Sequence, residues 1–108
     1  SNLIAEVLLV LDQRVPIDRL RATVEAIAKA SPLSDGQPAK VQINDVREKS
    51  MEVRVLVGAR NAEEAAALRA EIREKVIEWL QREMPEALPR NGVEFAQPGP
   101  PPPTTSAP

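Results

Sequence analysis

The chain has 108 residues, 43% of them hydrophobic and 28% charged, with a formal net charge of −2. That is one domain's length with enough apolar material for a core, and the charge is too balanced for a nucleic-acid or anionic-membrane binder. His, Cys and Tyr are absent, which excludes disulfides and thiolate metal sites and removes the commonest general bases and nucleophiles.

The first element is Leu3 to Leu11, a β-rich apolar run. Ala5, Val7, Leu9 and Leu11 alternate onto one face, and Glu6, Leu8 and Val10 onto the other. Two largely apolar faces predict a central strand, partly covered on both sides. Pro16 to Ala30 predicts an amphipathic helix with Ile17, Leu20, Val24, Ile27 and Ala28 on its apolar stripe. Pro16 suits the first turn, Asp18 sits near the positive end of the helix dipole, and Pro32 stops the helix. Asp35-Gly36 marks a turn.

Ala39 to Glu48 and Met51 to Gly58 alternate as two strands joined by a tight connection at Glu48-Lys49-Ser50, which predicts a hairpin. A long helix follows, from Asn61 to about Met84. Asn61 is the expected N-cap, with Glu64 three residues on as its capping-box partner. Ala65, Leu68, Ile72, Val76 and Trp79 form the core stripe, widened by Ile77, Leu80 and Met84. Glu71–Lys75 and Glu78–Arg82 are favourably spaced ion pairs on a solvated face. Val93 to Phe95 predicts a short last strand. Residues 97–108 are proline-rich and read as an extended or disordered tail.

Strand, helix, strand, strand, helix, strand is the order of a ferredoxin-like α+β sandwich, βαββαβ, with two helices on one face of an antiparallel four-stranded sheet. The expected organisation is one folded domain over residues 3–96 and a tail over 97–108. Residues 1–2 read as a tag scar, because the chain opens at Ser1-Asn2 without Met, as a processed product or an excised piece would. No signal peptide is expected. No apolar run approaches the ~18 residues of a membrane-spanning helix; the longest is Val7 to Leu11.

Candidate chemistry is sparse. Asp12, Asp18, Asp35 and Asp45 are scattered over strand ends and turns, where carboxylates cap or solvate. Ser31, Ser34 and Ser50 have no base partner. No Asp/Asn loop has calcium spacing. The RNA-recognition motif shares this strand–helix order, but it stacks bases on aromatic side chains of its central strands. Here those strands, LIAEVLLVL and MEVRVLVG, carry none. Asp35-Gly36-Gln37-Pro38 reads as a plain turn and Trp79 as a core residue rather than a partner anchor. The proline run reads as a loose terminus rather than a ligand for a proline-binding groove. The chain is therefore expected to be non-catalytic, with no catalytic, cofactor-binding or metal-binding residue, no cofactor, and no nucleic-acid or small-molecule partner.

Three stretches carry a resemblance: Ser31-Pro32-Leu33-Ser34-Asp35-Gly36, the hairpin VQINDVREKSMEVRVLV, and the helix running into its exit, LRAEIREKVIEWLQREMPEALPR. Together they resemble the cytoplasmic C-terminal α/β domain of MscS-like small-conductance mechanosensitive channels, over about Leu3 to Phe95. The resemblance implies a bacterial membrane protein whose subunits form a ring, typically a heptamer, around a hollow cytoplasmic vestibule. It places this region at the cytoplasmic face of the inner membrane, as a structural domain that shapes and filters the vestibule. The channel's pore-lining helix precedes this region, so no pore residue carries over. The chain departs from the family at the exit, which reads Leu88-Pro89-Arg90 instead of aromatic-Pro-Gln. It departs again in having a proline tail where many members continue into a barrel-closing β segment. The alternative is a soluble ferredoxin-like module that senses a small ligand, an analogy of fold alone.

The tail supports one prediction without any structure. Residues 97–108 hold no large apolar side chain, so they bury little against the ~1–2 kcal/mol per residue that ordering a backbone costs. Deleting them is expected to leave the melting temperature unchanged and, in the intact chain, Thr104 to Ala107 are expected to give sharp, random-coil NMR signals. Broadened or protected signals together with a concentration-dependent melt would mark the tail as an assembly element.

Overall fold

A computed structural model describes residues 2–88. Five main elements appear in the expected order: β1 (Leu3–Asp12), α1 (Ile17–Ala30), β2 (Lys40–Val46), β3 (Ser50–Ala59) and α2 (Ala62–Glu83), followed by a 3-10 turn at Pro85–Ala87. The protein is α+β, with two helices on an antiparallel sheet ordered β1-β3-β2. Among the described residues the sheet has three strands, where the sequence predicts four. The expected fourth strand, Val93 to Phe95, and the proline tail lie outside the described residues.

Local chemistry accounts for the boundaries. Pro16 is the residue before α1 and not part of its first turn; its φ of −66° leads the chain in. Ser31 ends α1 by donating its backbone N–H to Ala28 O, ahead of Pro32. Asn61 caps α2 as expected, its side-chain oxygen accepting from Glu64 N at 2.8 Å. The other half of the capping box is not made. The Glu64 carboxylate instead accepts from Arg60 Nε at 3.0 Å, a charged donor outcompeting a neutral backbone N–H. Of the two expected helix pairs, Lys75–Glu71 forms at 2.9 Å, whereas Arg82 turns to Glu83 at 3.6 Å.

The core lies between the sheet and the helices. Ala5, Val7, Leu9 and Leu11 of β1 and Met51, Val53, Val55, Val57 and Ala59 of β3 all point into it. They meet Leu20, Val24 and Ala28 of α1 and Ala65, Leu68, Ile72, Val76 and Leu80 of α2. Each fully buried aliphatic side chain contributes about 1.5–3 kcal/mol relative to exposure, so this one layer carries most of the stability. Register is pinned along its whole length, Leu3 opposite Ala59 through Asp12 opposite Ser50. A one-residue slip would turn every apolar side chain of β1 to the wrong face.

Two sequence expectations need correction. Trp79 lies at the rim of the core rather than within its stripe; it is half-buried and carries the Arg19 guanidinium 5.7 Å from its ring centroid. The stripe closes through Leu80, because α2 turns Trp79 toward α1. β1 is covered on one face only among the described residues: both helices pack on the other side of the sheet, so Ile4, Leu8 and Val10 are 76%, 45% and 57% exposed.

Candidate functional site

Among the described residues, the open face of the sheet is where apolar side chains are left without partners. Alternation along β1 sends Ile4, Glu6, Leu8 and Val10 to this face, and the register sets Leu56, Arg54 and Glu52 of β3 beside them. β2 adds Lys40 and Gln42, and a bulge between Ile43 and Asp45 throws Asn44 out of the ladder. The result is an apolar stripe on β1 beside a polar band on β3 and β2.

The polar band is a connected network. Glu6 Oε2 lies 2.7 Å from Arg54 Nε, a diagonal cross-strand pair. The Nε–H is not aimed at the carboxylate and has no hydrogen-bond acceptor, so this contact is an ion pair alone. Arg54 Nη2 donates to Asn44 Oδ1 at 2.8 Å, and Asn44 Nδ2 donates to Glu52 Oε1 at 2.9 Å. The bulge therefore aims Asn44 between two charged neighbours. With Arg54 and Glu6 both more than a third exposed, the pair fixes orientation more than it stabilises.

One end of this face is a shallow trough of about 310 Å³. Gly58 floors it between Ile4 on β1 and the Asp35–Lys40 loop. A Cβ at Gly58 would lie 2.4 Å from the Asp35 carboxylate, so glycine lets the loop lie down on β3. Asp35 N donates to Gly58 O at 3.0 Å, while its carboxylate accepts from Gln37 N and from Asn2 Nδ2, each at 2.9 Å. Gly36, at φ +93°, makes the turn. Arg60 ties the same loop down by donating to the carbonyls of Ser34 and Pro32.

The residues that the sequence offers as possible chemistry are held apart in structural contacts. Asp12 is bound by Arg14, Asp18 lies 3.5 Å from Arg21, and Asp45 lies 3.6 Å from Arg47. Ser31 is the one buried polar side chain among the described residues. It donates from Oγ to Glu71 Oε1 at 2.5 Å and accepts from Leu33 N at 3.1 Å, which locks the Ser31-Pro32 corner to α2. Ser34 Oγ accepts from Gly36 N, and Ser50 sits in β3. Among the described residues no three acidic side chains converge as a metal site would require.

Among the described residues two carboxyls are shifted. The Ser31 hydroxyl and then the Lys75 ammonium hold Glu71 below the usual carboxylate range. The Arg14 side chain and backbone do the same for Asp12. A depressed folded-state pKa adds stability that is full above the unfolded value of roughly 4–4.5 and is lost as the pH falls through the folded value. The melting temperature is therefore expected to fall on acidification below about pH 5. Ser31→Ala should lower it more at pH 7 than in acid, because the stability that comes from the lowered Glu71 carboxyl is lost as the pH falls. An equal drop at both pH values would show that the Ser31–Glu71 bond does not depend on the charge.

What sequence reading missed is the bare face. The signal was present, since Glu6 interrupts the second alternation of β1 and Glu52 and Arg54 occupy the matching face of β3. Compared with known proteins, the chain matches no family model and no curated protein.

Proposed function

We propose that this chain is a structural assembly domain: the cytoplasmic vestibule domain of an MscS-like mechanosensitive channel subunit. One observation carries the reading. Among the described residues nothing covers an apolar stripe of Ile4, Leu8 and Val10 on the open face, while Glu6 and Glu52 beside it are engaged by Arg54 and Asn44. Bare apolar side chains beside a fixed polar band suit a protein–protein contact. The sequence resemblance supplies what kind: copies of the same subunit in a ring, a heptamer in the full-length channel, at the cytoplasmic face of the inner membrane. Membrane helices would lie elsewhere in the parent protein; no described helix is long and apolar enough to cross a membrane. The finer architecture belonging to this reading is the four-stranded ferredoxin-like sandwich. The domain is non-catalytic and takes no nucleic acid and no small-molecule substrate.

The trough at Gly58 favours the alternative, a soluble module sensing a small ligand. Its volume lies at the bottom of the ~300–1,000 Å³ range of ligand pockets, and its one carboxylate is already engaged by Asn2 and Gln37. Reading the coding sequence upstream of Ser1 separates the two. The channel reading expects two or three apolar spans of ~20 residues there. A soluble catalytic domain in that place would overturn it.

A further inference from the structure

Among the described residues, the large apolar side chains left exposed are Leu3, Ile4, Leu8, Val10, Ile43 and Val46. All of them lie on β1 and β2, the strands on either side of β3, and none on a helix. Single exposed apolar residues are ordinary, whereas grouped ones mark contacts. Leu3 stands apart at the start of β1, and the rest form two groups. The first is the open-face stripe of Ile4, Leu8 and Val10. The second is Ile43 and Val46 on β2, which are 49% and 61% exposed.

The second group lies on the other side of the sheet. Ile43 stands opposite Val53 and Val46 opposite Met51, and both of those partners are buried in the core. Cross-strand partners share a face, so Ile43 and Val46 point to the helix side, yet among the described residues no helix covers them. The bulge brings them together. In a regular strand, residues three apart point to opposite faces. The extra residue between Ile43 and Asp45 returns Val46 to the side of Ile43. The two groups therefore lie on opposite faces of the sheet, with β3 between them.

That placement decides which symmetry uses both. A two-fold contact sets a patch against itself and leaves the other group in water. Two or three part-exposed aliphatic side chains also fall short of the ~800 Å² per partner that a stable interface buries. A head-to-tail contact sets the first group of one copy against the second group of the next, and covers both in every copy. The flanking charges suit the same pairing. β1 carries Glu6 and Asp12 and no basic residue, whereas residues 40–49 carry Lys40, Arg47 and Lys49 against Asp45 and Glu48. We infer that copies of this chain meet head to tail, the Ile4, Leu8 and Val10 stripe of one seated on the Ile43 and Val46 flank of the next, which rests on the assembly role proposed above and supplies its second surface.

Two double variants separate the surfaces. Leu8→Lys/Val10→Lys removes the stripe and Ile43→Lys/Val46→Lys removes the flank, both at exposed positions. Sedimentation velocity reads the outcome, with a melt of each variant to establish folding. Ile43→Thr/Val46→Thr, which keeps strand-forming residues, stands in should the lysines unfold β2. Each variant alone is expected to associate at least tenfold more weakly than the intact chain. Their equimolar mixture is expected to form a discrete dimer and nothing larger, because each mixed pair keeps one intact stripe and one intact flank. Association of the flank variant at the intact chain's strength would overturn the head-to-tail contact and leave the open face pairing with itself. Two weakened variants that form no dimer on mixing would overturn it as well. An intact chain that stays monomeric at millimolar concentration, or a stripe variant that associates as the intact chain does, would overturn it together with the assembly role of the open face.

Discussion

Val55→Asp is expected to abolish cooperative unfolding. Val55 is fully buried, and it sits between Val7 on β1 and Val41 on β2 in the middle strand of the described sheet. All its neighbours on that face are apolar, so an aspartate there has no partner, and an unpaired buried charge costs several kcal/mol after relaxation. The whole stability of a domain is of the order of 5–15 kcal/mol. Circular dichroism melts should show a broad, sloping loss of signal in place of a transition. A melt within about two degrees of the parent, which is well under the ~4–8 °C that 1 kcal/mol moves a domain of this size, would place Val55 outside the core.

Leu68→Ala is the second large effect. Leu68 is fully buried, on the α2 stripe between Ala65 and Ile72. Truncation removes apolar contact and leaves a cavity that a sheet pinned in register cannot close, at about 2–5 kcal/mol. A lowering of the melting temperature by at least ~8 °C follows at 4–8 °C per kcal/mol. Trp79→Ala makes the informative comparison. Trp79 is larger but sits half-exposed at the rim under Arg19, so its loss should cost less than that of Leu68. The reverse order would return Trp79 to the core stripe.

How far the fold could be read from the chain depended on which features are local. Strand and helix positions came from periodicity and punctuation: the alternations of β1 and β3, Pro32 after α1, Asn61 before α2. Each of these acts within a few residues, and each appears at or within two residues of its expected place. The Asn61 cap was legible for the same reason, but the fate of Glu64 was not. It depends on Arg60, whose guanidinium is held in place by the Ser34 and Pro32 carbonyls from a distant loop. The bare open face was misread because Leu8 and Val10 look buried in a one-dimensional pattern. Only the assignment of both helices to the opposite side leaves them exposed. Gly58 and Asp35 show the same limit, since nothing in the sequence says that one must be small to admit the other. Of the residues weighed for chemistry, the contacts of Asp12 with Arg14, of Asp35 with Asn2 and Gln37, and of Ser31 with Glu71 were not legible either, because all but the first join distant or turn-specific partners.

If the open face is an assembly surface, its apolar stripe must drive association while the core stays untouched. Sedimentation equilibrium of the 108-residue chain from micromolar to millimolar concentration measures this most directly, with Leu8→Lys/Val10→Lys beside it. The intact chain is expected to self-associate reversibly. The double variant, altered at exposed positions that change stability by only a few tenths of a kcal/mol, should remain monomeric across the range with a closely similar melt. A chain that stays monomeric at millimolar concentration, or a double variant that associates as well as the parent, would contradict an assembly role for this face.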